Sequence, residues 1–409
     1  MREVALGIAL VVFASFLDVP AIILLGLVLV PTGAIREVWA RRGLEGIEYR
    51  RHLPRSRAVV GDEIPIDISV WNRKALPLAW LQVEDEASAR VVVRERDLAR
   101  AESGALALRN AWTLAPYERV VRHFHVVAER RGVYRLGPAR LEVGDLLARP
   151  AATGTSPGTD TWIVRPRSVA VRTFVSEQRW GGELRARRGL LDDPTRYAGV
   201  RPYQPGDPLR GVHWKATARL GRPVSKRFDP ARQREVVVAL DIEGVVAPSR
   251  PAVSDDDDLV ESLCVAAASL VRHFRAEGAA VGLAAAGHGG GNRTMAYVAP
   301  GGSEPQLGRC LDLLARLGPF PAAPFERLLT MLVRTIRPGT SLVVLSARDP
   351  ASYLPALRRV GRSGFPVRHL GFGPAAPALA ARVRAAAIES SPARLDGPWR
   401  TATALLIGP

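Results

Sequence analysis

Asp207, His213 and Lys215 fall within one short stretch, and together they supply a carboxylate, an imidazole and an ammonium. An imidazole oriented by a carboxylate is the general-base pair of many hydrolytic sites, and a nearby cation can steady developing negative charge. A second grouping lies where the apolar run 235–240 ends in Asp241, with Glu243 two residues on. Carboxyl ends of strands in open α/β sheets are ligand-binding positions, and carboxylate oxygens suit Mg²⁺. Four consecutive aspartates, 255–258, either hold a cation or open a helix, whose N-terminal dipole favours negative charge. The helix-start reading is the one adopted. The run 287–292, GHGGGN, has no Gly-Lys-Ser/Thr after it and reads as a hairpin loop, not a phosphate loop. The two cysteines, Cys264 and Cys310, both fall in helical patterns and read as small core hydrophobes. They exclude a disulfide framework, and a cysteine-based zinc site is not expected.

The first grouping sits in RYAGVRPYQPGDPLRGVHWKATARLGRPVSKRF, residues 196–228, through which no period of 2 or 3.6 runs. Pro205-Gly206-Asp207-Pro208 is a turn by composition, and 220–223 turns again. Between them, residues 212–218 read as a short strand or a single helical turn. From 165 to 235 there are 17 Lys/Arg against 7 Asp/Glu, so this segment holds +10 of the chain's net +17. A block of that size is a surface for something anionic or for an acidic partner. Tyr197, Tyr203, Trp214 and Phe228 interleave with the basic residues, as in nucleic-acid binders, but no helix-turn-helix, RNP or OB signature accompanies them. Nucleic acid is therefore not the expected partner.

These residues resemble the signature of the bacterial domain-of-unknown-function 58 family. The matching positions are Gly199, Arg201, Tyr203, Pro205, Gly206, Asp207, Arg210, Val212, Trp214, Lys215, Ala218, Arg219, Gly221, Val224 and Lys226. The resemblance implies a membrane-anchored protein with a von Willebrand A-like C-terminal part, often encoded beside a MoxR-type AAA+ ATPase. It implies no known reaction. His213 is not one of the matching positions, which argues against a catalytic role for it. A structural role for the signature has Asp207 paired with Arg210 or Arg219 and Trp214 anchoring the loop on the sheet. Von Willebrand A domains carry Asp-x-Ser-x-Ser at the end of the first strand of the sheet. Here Asp241 matches, but Glu243 and Val245 replace the serines, the 317–325 loop lacks a Gly-Thr pair, and Asp349 is the remaining candidate carboxylate. Asp241 is thus the one metal candidate, for Mg²⁺ at a degenerate site. The alternative is that it caps the neighbouring helix or loop.

Those residues need elements to hold them. Residues 4–17 and 21–30 are apolar and are separated by Asp18-Val19-Pro20. A single span would place Asp18 mid-membrane at a cost of about 3 kcal/mol. The expected arrangement is a membrane hairpin over 1–40, its second helix running on toward Trp39. The arginines at 36, 41, 42, 50, 51, 55 and 57 put the soluble body in the cytoplasm. Residues 44–150 read as an all-β, sandwich-like domain, with Ile64, Ile66, Ile68 and Val70 as an alternating strand. Residues 151–161 read as a linker inside a 151–230 segment that carries the signature. From 231 to 409 strands alternate with helices, expected as a doubly wound parallel sheet.

The expected function is a membrane-tethered, non-enzymatic adaptor at the plasma membrane, without cofactor. It binds a protein partner, plausibly the MoxR-type ATPase, through Arg201, Tyr203, Pro205, Gly206, Asp207, Arg210, Trp214, Lys215, Arg219 and Lys226, and meets lipid through its hairpin. The alternatives are a hydrolase using Asp207, His213 and Lys215, and a metal-dependent ligand binder at Asp241.

Overall fold

The computed structural model describes residues 2–17, 20–101, 103–145, 149–173, 192–204, 209–230, 234–243, 255–287, 294–318 and 320–408. The chain divides into two units, Met1–Arg165 and Pro166–Pro409.

The first unit opens with α1 (Arg2–Leu17) and α2 (Pro20–Arg42), packed against each other. The pairing is close because Gly26 lies against α1. A Cβ there would sit 2.5 Å from Val11 Cγ2 and 2.8 Å from the Gly7 carbonyl oxygen. The α2 helix runs through Pro31 and is long and apolar enough to cross a membrane; α1 is shorter. Leu6, Ile8, Phe13, Phe16, Leu24 and Leu27 are exposed along the pair, as lipid-facing residues would be. Trp39, read as interfacial, is instead buried. The expected turn at Asp18-Val19 lies outside the described residues.

The β-domain of this unit is built from β1 (Ile47–His52), β2 (Arg57–Val59), β3 (Glu63–Asn72), β4 (Leu78–Ala87), β5 (Val92–Val93), β6 (Ala99–Arg100), β7 (Leu106–Leu114), β8 (Arg119–Val127), β9 (Gly132–Gly144), β10 (Pro150–Ser156) and β11 (Asp160–Arg165). One sheet has the order β1-β3-β8-β5, and the other β2-β11-β9-β4-β7-β6 with β10 on β9. All pairings are antiparallel except β2 with β11. The alternation in β3 puts Ile64, Ile66, Ile68 and Val70 in the core. Between the sheets Arg51 is buried against Asp85 and Asp160, and Tyr49 donates to Asp85, so Arg51 belongs to this cluster and not to a membrane-proximal basic set. Two expectations need correction. Of residues 131–138, read as turn, strand, turn, all from Gly132 on form one long strand with 139–144, since Gly137 accepts a positive φ of 97° without ending the pairing. Residues 151–161 are not a linker. Their small Ala, Thr and Gly residues form β10, which pairs with β9 and has no buried residue, so the segment has little apolar signal.

The second unit contains β12 (Ala170–Thr173), β13 (Asp192–Pro202), α3 (Trp214–Leu220), β14 (Val224–Pro230), β15 (Glu235–Leu240), α4 (Asp255–Ala276), β16 (Ala280–Ala285), β17 (Ala296–Gly301), α5 (Glu304–Arg316), α6 (Phe325–Thr335), β18 (Ser341–Ser346), α7 (Leu354–Arg362), β19 (Val367–Phe372), α8 (Ala376–Arg384), β20 (Glu389–Leu395) and β21 (Ala404–Ile407). The large sheet has the order β12-β21-β20-β19-β18-β15-β16-β17. Counted from β15, the six strands from the β17 edge to β20 run 3-2-1-4-5-6, the doubly wound order. The sheet is mixed, not wholly parallel: β16–β17 and β20–β21 are antiparallel. Val236, Val238 and Leu240 pack on one face with α4 and α5. Val237 and Ala239 pack on the other with α6 and α7. Leu263 and Leu270 of α4 are buried, and both cysteines are buried as the sequence indicates. The Ala-rich helix expected over 375–390 stops at Arg384, and β20 follows.

Candidate functional site

The signature segment forms a strand pair carrying a short helix. β13 and β14 pair antiparallel, with Val200 opposite Lys226 and Arg201 opposite Ser225. Val212 bridges to Ser225, and the His213 amide donates to the Val224 carbonyl at 2.9 Å. Val212, Val224 and Ser225 are buried and fix the base of the segment. From it projects α3. Its N-terminus is capped by His213, whose Nδ1 accepts from the Ala216 amide at 3.1 Å, and its C-terminus by Gly221 at φ 64°. Gly is the residue that adopts this left-handed C-cap without Cβ strain. Thr217 Oγ1 accepts from the Val224 amide and ties the helix to β14.

The seven residues of α3 include none that is buried. Trp214 is 66% exposed, Leu220 51% and Leu209, just before the helix, 69%. Lys215, Arg219, Arg222 and Lys226 are exposed around them, and Arg201 and Tyr203 lie at the rim, Arg201 half-buried. Trp214 therefore does not anchor the segment on a sheet as the structural reading expected. That work is done by Val212 and Val224, which are short enough to pack beneath the backbone turn. Pro205, Gly206 and Asp207 lie outside the described residues, as does the side chain of Arg210. The helix cap also fixes what His213 does. The ring nitrogen that a carboxylate would orient in a general base is occupied by a backbone amide.

A second polar cluster sits at the carboxyl ends of β15 and β18, adjacent parallel strands at the point where the strand order reverses. Asp241 is buried. Its Oδ1 accepts from the Glu243 amide at 3.0 Å, and its Oδ2 accepts from Ser346 Oγ at 2.8 Å and from Arg348 Nε at 3.3 Å. Arg348 Nη2 also lies 3.2 Å from Glu243 Oε2 and 3.2 Å from Glu326 Oε1. Glu243 Oε2 in turn accepts from the Phe325 amide at the start of α6. Burial raises the Asp241 carboxyl to about 6, against the pull of Arg348 and Ser346. Burial would lower the Arg348 guanidinium, but Asp241, Glu243 and Glu326 hold it above its ordinary value. Next to this cluster, Tyr353 OH is 2.9 Å from His369 Nε2, and His369 Nδ1 is 2.8 Å from Ser390 Oγ, all three buried.

Asp241 thus caps a loop, as the alternative reading held, and it also joins a cluster that the sequence did not disclose. Gly244 and Val245 lie outside the described residues. Asp349 stands apart, exposed and paired with Arg382. Asp258 accepts from Trp399 Nε1 at 3.0 Å in the first turn of α4. Among the described residues, no group of three or more His, Cys, Asp or Glu is placed to hold a metal ion. The donor set does not fit Mg²⁺, because both Asp241 oxygens already accept hydrogen bonds and a guanidinium lies among the carboxylates.

One stretch of the chain spans both groupings, from Gly199 in β13 to Arg348 in the cluster, and it is this stretch that compares with known proteins. Residues 199–348 match the family described as protein of unknown function DUF58. The resemblance carried by the signature thus holds for this stretch. A curated relative, the uncharacterized protein YeaD of Bacillus subtilis, is 23% identical over 250 residues, 60% of this chain and 57% of that protein. The chain therefore spans little more than half the length of this relative. Solved structures similar to the chain include the CARDB domain of the PF1109 protein from Pyrococcus furiosus, at 16% identity and a TM-score of 0.20, covering 29% of this chain and 89% of that one. A type II cohesin domain from the cellulosome of Acetivibrio cellulolyticus is 12% identical with a TM-score of 0.20, covering 28% and 94%. At such scores neither bears on function.

Proposed function

We propose that this DUF58-type protein is a membrane-tethered, non-enzymatic adaptor whose signature segment docks a protein partner, and that the partner is a MoxR-type AAA+ ATPase. The observation that carries the reading is α3, a two-turn helix that buries none of its own residues and exposes Trp214 and Leu220, with Leu209 exposed just before it and Lys215, Arg219, Arg222 and Lys226 exposed in the same segment. A helix this short gains too little from its own hydrogen bonds to be favoured alone. Exposed apolar groups rimmed by charge are the usual make-up of protein-binding surfaces, and Trp and Arg dominate their energetics. The basic rim calls for an acidic face on the partner. The choice of ATPase rests on the family resemblance. The 3-2-1-4-5-6 strand order with an antiparallel edge supports reading the C-terminal sheet as von Willebrand A-like, a second surface of the same adaptor. α2 supplies the tether, and Arg36, Arg41 and Arg42 at its end favour a cytoplasmic body.

The test is the affinity of the full-length protein in detergent for the neighbouring ATPase in ATP and in ADP. The triple variant Leu209→Ser, Trp214→Ala, Lys215→Ala is expected to keep its melting temperature and to bind about tenfold or more weakly. Unchanged affinity in both nucleotide states would remove this reading and return attention to a catalytic role for Asp207 and Lys215.

A further inference from the structure

The cluster at the ends of β15 and β18 gathers carboxylates around one guanidinium. Three carboxylates from three separate segments, Asp241 after β15, Glu243 on the following turn and Glu326 on the first turn of α6, point at one centre. Ser346 at the end of β18 adds a hydroxyl, which donates to Asp241 and accepts from the Arg348 amide at 3.1 Å. The position lies at the strand-order reversal, where sheets of this kind bind ligands. Converging carboxylates repel one another and are costly to desolvate unless a positive charge sits between them.

Here that charge is Arg348. Its guanidinium contacts all three carboxylates, with Nε on Asp241 and Nη2 shared by Glu243 and Glu326, and its Cζ lies 5.3 Å from the Tyr353 ring centroid. A planar guanidinium with a fixed fork of donors suits several carboxylates arranged around it, and it remains charged under all physiological conditions. We infer that Arg348 is the resident cation of this site, a side chain standing where a von Willebrand A-like sheet would carry a divalent ion, so that the protein is metal-independent here. The guanidinium also bridges β15, β18 and α6, an ordering role that an exchangeable ion would make dependent on supply. This inference rests on the ion cluster and on the reading of the sheet as von Willebrand A-like, and it is independent of the docking surface on α3.

The consequence is specific. Removing the guanidinium leaves three carboxylates and a hydroxyl facing one vacated position, the oxygen-rich set that Mg²⁺ or Mn²⁺ prefers. Thermal melts of the full chain in detergent, with EDTA and with MgCl₂ or MnCl₂, read this directly. Wild type is expected to melt at one temperature in all three. Arg348→Ala is expected to melt lower in EDTA and to recover by about 3 °C or more in saturating metal. Adding Glu326→Gln to that variant should abolish the recovery, and Arg348→Lys should stay insensitive to metal. If Arg348→Ala does not fold in EDTA, folding restored by Mn²⁺ supports the inference, and failure in both conditions overturns it. Equally, a Mn²⁺-dependent rise in wild type that Asp241→Asn removes would show that the site takes metal with Arg348 in place, and the inference would fall.

Discussion

Asp241 follows β15 and His369 lies in β19, two strands away in the same sheet, and burial pushes them in opposite directions. The Asp241 carboxyl is raised to about 6, while the His369 imidazole is lowered to about 4. Asp241 holds its proton more tightly folded than unfolded. Its contribution is therefore complete below pH 4 and is lost as pH rises through about 6. His369 binds its proton more weakly when folded, so its contribution is present above pH 6.5 and is lost as pH falls toward 4. Each shift corresponds to about 3 kcal/mol. Between pH 4 and 6.5 the two oppose each other, and the wild-type stability curve is expected to be flatter than that of either single variant. In Asp241→Asn, stability should fall more steeply with acid; in His369→Gln it should rise toward acid. Denaturant melts from pH 4 to 7 check the signs. The sequence pointed to Asp241, because a carboxylate at the end of an unbroken apolar strand is conspicuous. It did not point to Arg348, which follows another apolar strand 107 residues later and acquires its meaning only when β15 and β18 pair. The polar residues Ser346 and Arg348 at the end of a buried strand were the available signal.

At the scale of elements, the contrast is between parts that hold the fold and a part that does not. Leu345 in β18 is fully buried in the sheet core, and Leu345→Ala is expected to cost about 2–5 kcal/mol. Leu209→Ala, at an exposed site beside α3, should change stability by no more than about 0.5 kcal/mol. Chemical denaturation of both variants measures this difference, and a large loss at Leu209 would mean that α3 is a packing element. Elements with strong periodicity were legible in advance. β3 shows strict alternation, and α4 carries apolar residues on one stripe. β20 was hidden because Ser390 faces the core and is satisfied by His369, and Ala393 is its one buried apolar residue. A buried hydrogen bond removed the hydrophobic signal, and the preceding alanines extended the apparent helix. β7 was missed although Leu108, Asn110, Trp112 and Leu114 alternate inward; buried Asn110 interrupts the apolar pattern. In the signature, the turn residues were readable, but the outward display of Trp214 was not. Composition alone cannot tell an aromatic that anchors a loop from one offered to a partner.

For the whole molecule, three features follow separately from the sequence: an apolar helix pair at the N-terminus, a β-domain, and an α/β domain read from 231 on, which in the structure belongs to a unit beginning at Pro166. The +10 block and the exposed apolar residues of the signature coincide in the α/β unit, and the DUF58 match begins in that same segment. On the proposed reading, partner binding belongs to this surface and stability to the eight-stranded sheet. Hydrogen exchange of the full-length protein in detergent, with and without a MoxR-type ATPase, tests that division. Added ATPase should slow exchange over 209–226 and leave β15, β18 and β19 unchanged. Unaltered exchange over 209–226, with protection appearing elsewhere or nowhere, would contradict it.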